Sequence, residues 1–404
     1  MNDDAARPAD ALRPGHEPGT AGYRRLLAGL FCIGVATFAQ LYSPQGLLPL
    51  IAVDQGVTAD RAALTISTAT LGLALGVIPW SYLGDGAGRR RTMLWSVSLA
   101  CVCALVAAVV DAFPAVLLAR GLEGLMLGGV PALAVAHLNA EVSPRAAAVA
   151  AGTYVSGTTL GGLSGRLLAA PVGEALGWRA GVHAVTLLAG ICVLLAVWLL
   201  PRARCEVRRA RGIGAASAAL TANLRSPRLW VIYLQAMLTM GGFVAMYNYL
   251  GFHLTGPPFG LPVWLTAFVF LAYLAGTWSS PWAGRTAARH ARRPVLLAGN
   301  GLMIVGALLT LVPHTAAVIV GAVVLTGGFF AAHAVAAGWA GAAAVGGAAQ
   351  SASLYTLGYY AGSSIFGYLG GTFLHLGGWP ATVGMVVGLA ATATVLAAVV
   401  LPRD

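Results

Sequence analysis

One carboxylate in this sequence lies where a charged side chain is costly. Most of the 13 acidic residues fall in the first stretch of the chain, in short polar connections or at the ends of apolar runs, but Glu123 lies inside an apolar run. Arg120 precedes it by three residues, so the two side chains share one face of a helix. A carboxyl group within a membrane is expected to be functional, and it can take up and release a proton if its arginine partner moves. If the partner stays in place, the pair only fixes the helix.

Arg166 is a second arginine within an apolar run, and its run is rich in glycine. Small residues of this kind let membrane helices pack closely. Arg166 lies at a depth near that of Arg120. Its guanidinium therefore has two alternatives: it attracts an anionic substrate, or it pairs with Glu123.

Amides and phenols are concentrated in two other apolar runs, where they would supply hydrogen bonds within an otherwise apolar pocket. The candidates are Gln40, Tyr42 and Gln45 in the first run and Tyr247, Asn248 and Tyr249 in the second. For Tyr249, the alternative is an anchor at the membrane interface. His333, in a later run, is a candidate for a second titrating group, with a hydrogen-bonded packing residue as the alternative.

The composition requires membrane helices to position these side chains. Of the 404 residues, 58% are hydrophobic and 9% are charged, and the mean hydropathy is +0.79. An ordinary soluble domain has about 25% charged residues, so a soluble helical bundle is excluded. We therefore predict an all-α integral membrane protein.

Twelve apolar runs have the length of about 20 residues that a bilayer requires. We place them near residues 25–50, 62–84, 92–111, 114–138, 147–170, 180–200, 228–252, 262–283, 294–312, 315–338, 351–374 and 380–401. The longest basic connection divides them into two groups of six. The predicted organisation is a disordered tail (1–23), a six-helix bundle (24–200), a basic linker (201–227) and a second six-helix bundle (228–404).

The chain contains no lysine, and its arginines give it a net charge of +11. Almost all of them lie in the tails or in alternate connections, and only Arg61 and Arg179 lie in the other connections. This asymmetry is typical of a membrane protein with its basic loops inside, so we expect both termini in the cytoplasm. Basic loops also favour anionic lipid headgroups, and we expect no nucleic-acid partner.

The two groups of six repeat each other at an offset of about 201 residues. The residues that recur are Tyr154, Gly157, Gly161 and Trp178, which return as Tyr355, Gly358, Gly362 and Trp379. The arginine-rich connection 81–91 also returns, as 284–293, with Ala288 in place of its acid.

The connection between the second and third runs reads SYLGDGAGRRR from residue 81. It resembles the signature loop of the major facilitator superfamily, GxLxDRxGRR. The matching residues are Asp85, Gly88, Arg89 and Arg90. Ser81 stands where the signature has its first glycine, and Gly86 stands where it has its first arginine.

This resemblance implies two parallel six-helix repeats with a substrate site between them. It implies that Asp85 meets the start of the eleventh helix, whose dipole favours a carboxylate, and that Arg89 pairs with Glu141. It also implies that helices 1, 4, 7 and 10 line the central cavity, which contains the amide and phenol candidates.

Two further motifs resemble those of coupled carriers in this superfamily. Arg120 and Glu123 are similar to a motif of the fourth helix that is linked to proton movement. The fifth run is similar to a glycine-rich antiporter signature, but Gly165 is followed by Arg166 instead of proline.

We therefore predict a monomeric, proton-coupled exporter of a small organic molecule in a bacterial inner membrane, with Glu123 taking up a proton from outside as substrate leaves. An uptake symporter or an uncoupled facilitator is the alternative, and a non-transporting sensor is a third. The sequence has no reactive constellation of an enzyme, no phosphate-binding loop and no CxxC pair. We expect no cofactor and no metal.

Overall fold

The computed structural model describes residues 15–143, 146–202, 213–345 and 347–403, and within them the chain forms twelve long helices. These are α1 (Ala21–Gln55), α2 (Ala59–Ala87), α3 (Arg89–Val109), α4 (Phe113–Glu141), α5 (Ala147–Leu176), α6 (Trp178–Leu199), α7 (Pro227–Thr255), α8 (Val263–Arg289), α9 (Arg292–Leu309), α10 (Thr315–Ala342), α11 (348–376) and α12 (379–400). The linker contributes a shorter helix, Ile213–Leu224. Residues 1–14 of the predicted tail and 203–212 of the predicted linker lie outside the described part.

Length and hydropathy identify ten segments of the described chain that are able to cross a membrane. The last of them, Ala348–Val400, is two helices, because Gly377 and Gly378 leave helical geometry and Gly378 has a φ of +65°. The helix missing from the ten is α5, which has 30 residues but is diluted by glycine, serine and threonine. The prediction of an all-α protein with twelve spans is confirmed.

The first helix begins at Ala21, a few residues before the predicted start. Thr20 explains this position, because its hydroxyl accepts a hydrogen bond from the Tyr23 N–H at 3.2 Å and so caps the helix. The residues before it are held as well: the His16 N–H donates to the carbonyl of Glu141 at 2.7 Å. The described end of the tail is therefore attached to the end of α4.

The two ends of the bundle differ in charge. One end, called here the arginine-rich face, carries both described chain ends, the linker helix and the α2–α3 and α8–α9 connections. The other end, called the opposite face, carries Arg179 with its carboxylate partners Asp54 at 2.8 Å and Asp111 at 3.4 Å. Buried apolar side chains form one cluster mainly within α1–α6 and two mainly within α7–α12, so each group of six has its own core.

The repeated glycines make the same close helix contact in both halves. In each half, the two repeated glycines of the fifth helix lie directly against the backbone of the first helix, so that a Cβ there would overlap a carbonyl oxygen. The contacts are Gly157 with Phe31, Gly161 with Val35, Gly358 with Tyr233 and Gly362 with Met237. Close backbone approach of this kind is what small residues permit in membrane helices.

Candidate functional site

Arg120 and Glu123 form a buried ion pair within α4, with 2.5 Å between Arg120 Nη1 and Glu123 Oε2. Neither side chain is more than 2% exposed. Arg120 Nε also donates to the Thr65 carbonyl of α2 at 3.1 Å. Glu123 Oε1 is buried and has no hydrogen-bond partner among the described residues. One oxygen of the carboxylate is therefore held by the arginine, and the other is free to accept a proton.

The same guanidinium binds α1 at a break in that helix. Arg120 Nη1 donates to the Gln40 carbonyl at 3.3 Å, and Nη2 donates to the Leu41 carbonyl at 2.7 Å. In a regular helix the Gln40 carbonyl would accept from the residue four positions later, but that residue is Pro44, which has no N–H. The chain continues as a 3₁₀ turn, Ser43–Leu47. Arg120 thus adds a donor to the Gln40 carbonyl, which also accepts from the N–H and the hydroxyl of Ser43, and binds the next carbonyl at the break.

The Gln40 side chain lies away from the other predicted cavity residues. It is fully buried within the first half, and its Oε1 accepts a hydrogen bond from Thr186 Oγ1 of α6 at 3.3 Å. Gln40 lies just before the 3₁₀ turn, and its side chain is directed toward α6. The side chain therefore does not line the central cavity in which the sequence predicts it.

Arg166 does not pair with Glu123, whose ion pair is with Arg120 of its own helix. Its Nε donates to Gln45 Oε1 at 2.7 Å, its Nη1 to the Gly162 carbonyl at 2.6 Å and its Nη2 to the Tyr273 hydroxyl at 3.3 Å. Arg166 is 1% exposed. No carboxylate of the described chain lies within 4.0 Å of it.

A series of hydrogen bonds continues from Arg166 into the second half. Gln45 Nε2 donates to Asn248 Oδ1 at 2.7 Å, and Asn248 Nδ2 donates to the Gly367 carbonyl at 3.3 Å. The series runs from α5 through α1 and α7 to α11. The structure therefore brings three predicted residues, Arg166, Gln45 and Asn248, to one place between the halves.

Aromatic rings enclose the guanidinium of Arg166. The centroids of Tyr42, Phe270 and Tyr273 lie 4.5, 4.7 and 4.8 Å from its central carbon. Tyr247 stacks on Phe270 at 5.3 Å. A cavity of about 10 Å³ beside Gln45 and these two rings has room for about one water molecule. The centre is closed around Arg166 in this conformation.

The phenol of Tyr249 is fully buried against α11, where it donates to the Gly367 carbonyl at 2.8 Å. This burial excludes the interface-anchor alternative for Tyr249. His333 Nδ1 lies 2.9 Å from the Tyr355 hydroxyl, and its ring packs at 5.0 Å from Tyr359. The alternative of a hydrogen-bonded packing histidine fits this geometry.

The loop between α2 and α3 depends on Gly88, whose φ of +94° is in the region that side chains disfavour. Asp85 is 44% exposed, and its ion pair is with Arg89 of the same half at 3.7 Å. The described residues at the start of α11 give Asp85 no hydrogen bond or ion pair, so the contact implied for that helix is not made in this conformation. The pairing of Arg89 with Glu141 stays a prediction.

Arg90 acts within the first half. It donates to the carbonyls of Val197 and Leu200 at the end of α6, both at 2.9 Å. Arg293 has the equivalent position in the second half and donates to the carbonyls of Ala398 and Leu401 at the end of α12. Both arginines therefore satisfy the last carbonyls of a helix, where a cation is also favoured by the helix dipole.

All hydrogen bonds between the halves, among the described residues, lie between the middle of the bundle and the opposite face. Besides the Arg166 series, the Ser364 hydroxyl of α11 lies 2.8 Å from the hydroxyl of Thr70 in α2. Nearest the surface, Glu174 of α5 accepts from the backbone N–H groups of Val263 at 3.2 Å and Trp264 at 2.6 Å, at the start of α8. The halves are thus joined at the opposite face.

Sequence reasoning missed Phe270, Tyr273 and Glu174. Each lies in or beside a predicted span, and aromatic residues such as Phe270 and Tyr273 are common in ordinary membrane spans. Glu174 follows the fifth predicted span, which places it near the surface, and nothing in the sequence indicates that α8 begins beside it. The available signal for Tyr273 is its position in the middle of the eighth run.

Comparison with known proteins gives one consistent family. The family model described as Major Facilitator Superfamily matches residues 30–277. The chain is 35% identical over 365 residues to the inner membrane transport protein YnfM of Escherichia coli (strain K12), covering 89% of this chain and 87% of that protein. It is 33% identical over 368 residues to the uncharacterized MFS-type transporter YybF of Bacillus subtilis (strain 168), covering 91% of each.

Solved structures with the same fold include two transporters. A nucleoside transporter, NupG, superposes with a TM-score of 0.74 at 14% identity, over 92% of this chain and 99% of that chain. A bacterial homolog of the human lysosomal transporter Spinster superposes with a TM-score of 0.71 at 15% identity, over 94% of this chain and 95% of that one. At these identities the likeness is one of fold.

Proposed function

We propose that this chain, which belongs to the major facilitator superfamily and is a multi-pass membrane transporter of a small molecule rather than an enzyme, is a proton-coupled exporter. It works as a monomer by alternating access in a bacterial cytoplasmic membrane, with the arginine-rich face and both termini in the cytoplasm. The positive-inside distribution of the arginines supports this orientation.

The observation that carries the proposal is the ion pair of Arg120 and Glu123. A carboxylate with one oxygen bound and the other unpaired accepts a proton without first losing a hydrogen bond. The partner, Arg120, holds α1 where that helix is broken, so a movement of α1 changes the surroundings of Glu123. One charge that crosses 100 mV supplies about 2.3 kcal/mol, which is sufficient for accumulation of a substrate by tens-fold.

Substrate binds between the halves, at the site formed by Tyr42, Gln45, Arg166, Tyr247 and Asn248. His333 lies on the arginine-rich side of this site and contributes to the approach. Two observations support a state open to the cytoplasm: Glu174 joins the halves at the opposite face, and Asp85 pairs with Arg89 instead of the described start of α11. When the cytoplasmic side closes, Asp85 reaches the start of α11, while Gly88, Arg89, Arg90 and Glu141 hold the ends of α2, α3, α4 and α6 in place.

Glu123→Gln is expected to abolish proton flux driven by substrate, since the amide cannot take up the proton that the carboxylate binds. The measurement is proton flux in vesicles with purified protein, screened with a mixed set of drugs and metabolites. Asp111→Asn is the matched control, because Asp111 is exposed on the opposite face and lies outside the pair.

Each other outcome of this assay has a definite meaning. Equal flux through the native protein and Glu123→Gln would make Glu123 structural. Transport without proton flux would identify a facilitator, and substrate moving together with protons would identify a symporter. Neither flux nor transport with any compound would support a sensor.

Glu174→Gln is expected to shift the protein toward a state open at the opposite face. The ionised carboxylate binds two N–H groups at the start of α8, where the helix dipole adds to the attraction, and an amide offers only a neutral oxygen. Distances between spin labels at Val53 and Leu376, both exposed near this face, should lengthen. Asp111→Asn should leave them unchanged, and an unchanged distribution in Glu174→Gln would contradict a role for Glu174 in closure.

A further inference from the structure

We propose that the substrate is a small organic monoanion with an apolar or aromatic body, and that Arg166 binds its carboxylate. The inference rests on the proposed function, since it names the class of molecule held between the halves. The inference is supported by the unbalanced positive charge of Arg166, by the N–H groups of Arg166 that have no acceptor among the described residues, and by the aromatic rings around its guanidinium.

The charge at this centre is not balanced by the protein. Arg120 has Glu123 as its partner, but Arg166 is equally buried and has no carboxylate within 4.0 Å in the described chain. A buried cation without a counter-charge is costly. Cation–π contacts with three rings offset part of this cost. A bound anion would offset the rest, so the site favours a ligand with one negative charge over a neutral ligand or a dianion.

The guanidinium also keeps donors for a ligand. Arginine has five N–H groups, and the contacts of Arg166 with Gln45, Gly162 and Tyr273 use one on each nitrogen. One N–H on each terminal nitrogen thus has no acceptor among the described residues. Two donors on neighbouring nitrogens match the two oxygens of a carboxylate, which arginine binds in a bidentate manner.

The aromatic side chains around Arg166 favour an anion with an apolar body. Tyr42, Phe270 and Tyr273 present their rings to the guanidinium, and Tyr247 packs edge-on against Tyr273. Besides the Tyr273 hydroxyl, the polar side chains that the described residues place in the Arg166 series are the amides of Gln45 and Asn248. A carboxylate on a hydrocarbon or aromatic body suits these surroundings better than a polyol does.

The site is divided between the halves, so it changes during transport. Arg166, Tyr42 and Gln45 belong to the first half, and Phe270 and Tyr273 belong to the second. A relative movement of the halves removes two of the rings from the guanidinium and opens it to the anion. Arg166 is then a binding residue that is covered in one state and accessible in the other.

The test is binding to purified native protein in detergent at pH 8 in a chloride-free buffer. The probes are benzoate, cinnamate and octanoate, each compared with its neutral amide, and sodium chloride is added separately. We expect at least one carboxylate to bind more than tenfold tighter than its amide. Arg166→Gln should remove this preference, and Arg166→Lys should retain part of it. Arg179→Gln is the matched control, because Arg179 is a partly exposed arginine outside the site.

Three results would overturn the inference: no carboxylate preferred over its amide, an equal preference in a folded Arg166→Gln variant, or the same effect from chloride alone. If Arg166→Gln does not fold, the comparison of carboxylates with amides on native protein still shows whether the site prefers an anion. The proposed function is tested separately, since proton flux driven by a neutral compound and lost in Glu123→Gln would stand even if every carboxylate failed.

Discussion

Arg120→Met is expected to lower the free energy of unfolding by about 3–5 kcal/mol, the range for breaking one side of a buried ion pair, and to abolish transport. The substitution leaves the Glu123 carboxylate buried and unpaired. It also removes the guanidinium hydrogen bonds to the carbonyls of Gln40 and Leu41 at the break in α1. Thermal unfolding in detergent and vesicle transport measure the two effects.

The double variant Arg120→Met/Glu123→Leu is the control for this prediction. Removing both charges removes the unpaired carboxylate, so we expect the double variant to recover much of the lost stability but not transport. A double variant as unstable as Arg120→Met would mean that the carbonyl contacts of Arg120, rather than the ion pair, stabilise the fold.

Gly161→Ala is expected to destabilise the protein, whereas Gly152→Ala is not, although both residues lie in α5. A Cβ at Gly161 would overlap the Val35 carbonyl oxygen of α1, whereas a Cβ at Gly152 meets nothing within 4 Å. Overpacking costs about 1–3 kcal/mol, so Gly161→Ala should destabilise the protein and reduce transport. Alanine is favoured over glycine in a helix by up to about 1 kcal/mol, so Gly152→Ala should be neutral or stabilising.

The second half provides an independent copy of this comparison. Gly362 lies against Met237 as Gly161 lies against Val35, and Gly384 of α12 meets nothing within 4 Å. Gly362→Ala should therefore behave as Gly161→Ala, and Gly384→Ala as Gly152→Ala. If all four variants unfolded at the native temperature, close helix contact would not be the reason for the repeated glycines.

The membrane class, the twelve spans and the Arg120–Glu123 pair could be predicted because each depends on local sequence. Span length follows from apolar runs, and a spacing of three residues places two side chains together on any helix. The repeat of Gly157 and Gly161 could be recognised for the same reason, although not the helix that they contact. A resemblance over one loop was enough to indicate the family.

The direction of the Gln40 side chain and the rings around Arg166 could not be predicted in this way. Gln40 precedes a 3₁₀ turn, where helical periodicity no longer relates its direction to that of Gln45. Tyr273 and Arg166 are 107 residues apart in the chain and meet only because the halves pack together. The contact of Asp85 with α11 depends on how the two halves are placed relative to each other, so local sequence does not predict whether that contact is made.

The break in α1 stands between two arginines that bind it from different helices. Arg120 holds the carbonyls of Gln40 and Leu41, and Arg166 holds the side chain of Gln45, five residues after Gln40. A ligand that draws Arg166 away therefore acts on the same short segment that positions the partner of Glu123. Thermodynamic linkage makes such an effect reciprocal: the number of protons released when substrate binds must equal the slope of the logarithm of substrate affinity against pH, so calorimetry in two buffers and a pH titration of affinity must give one number.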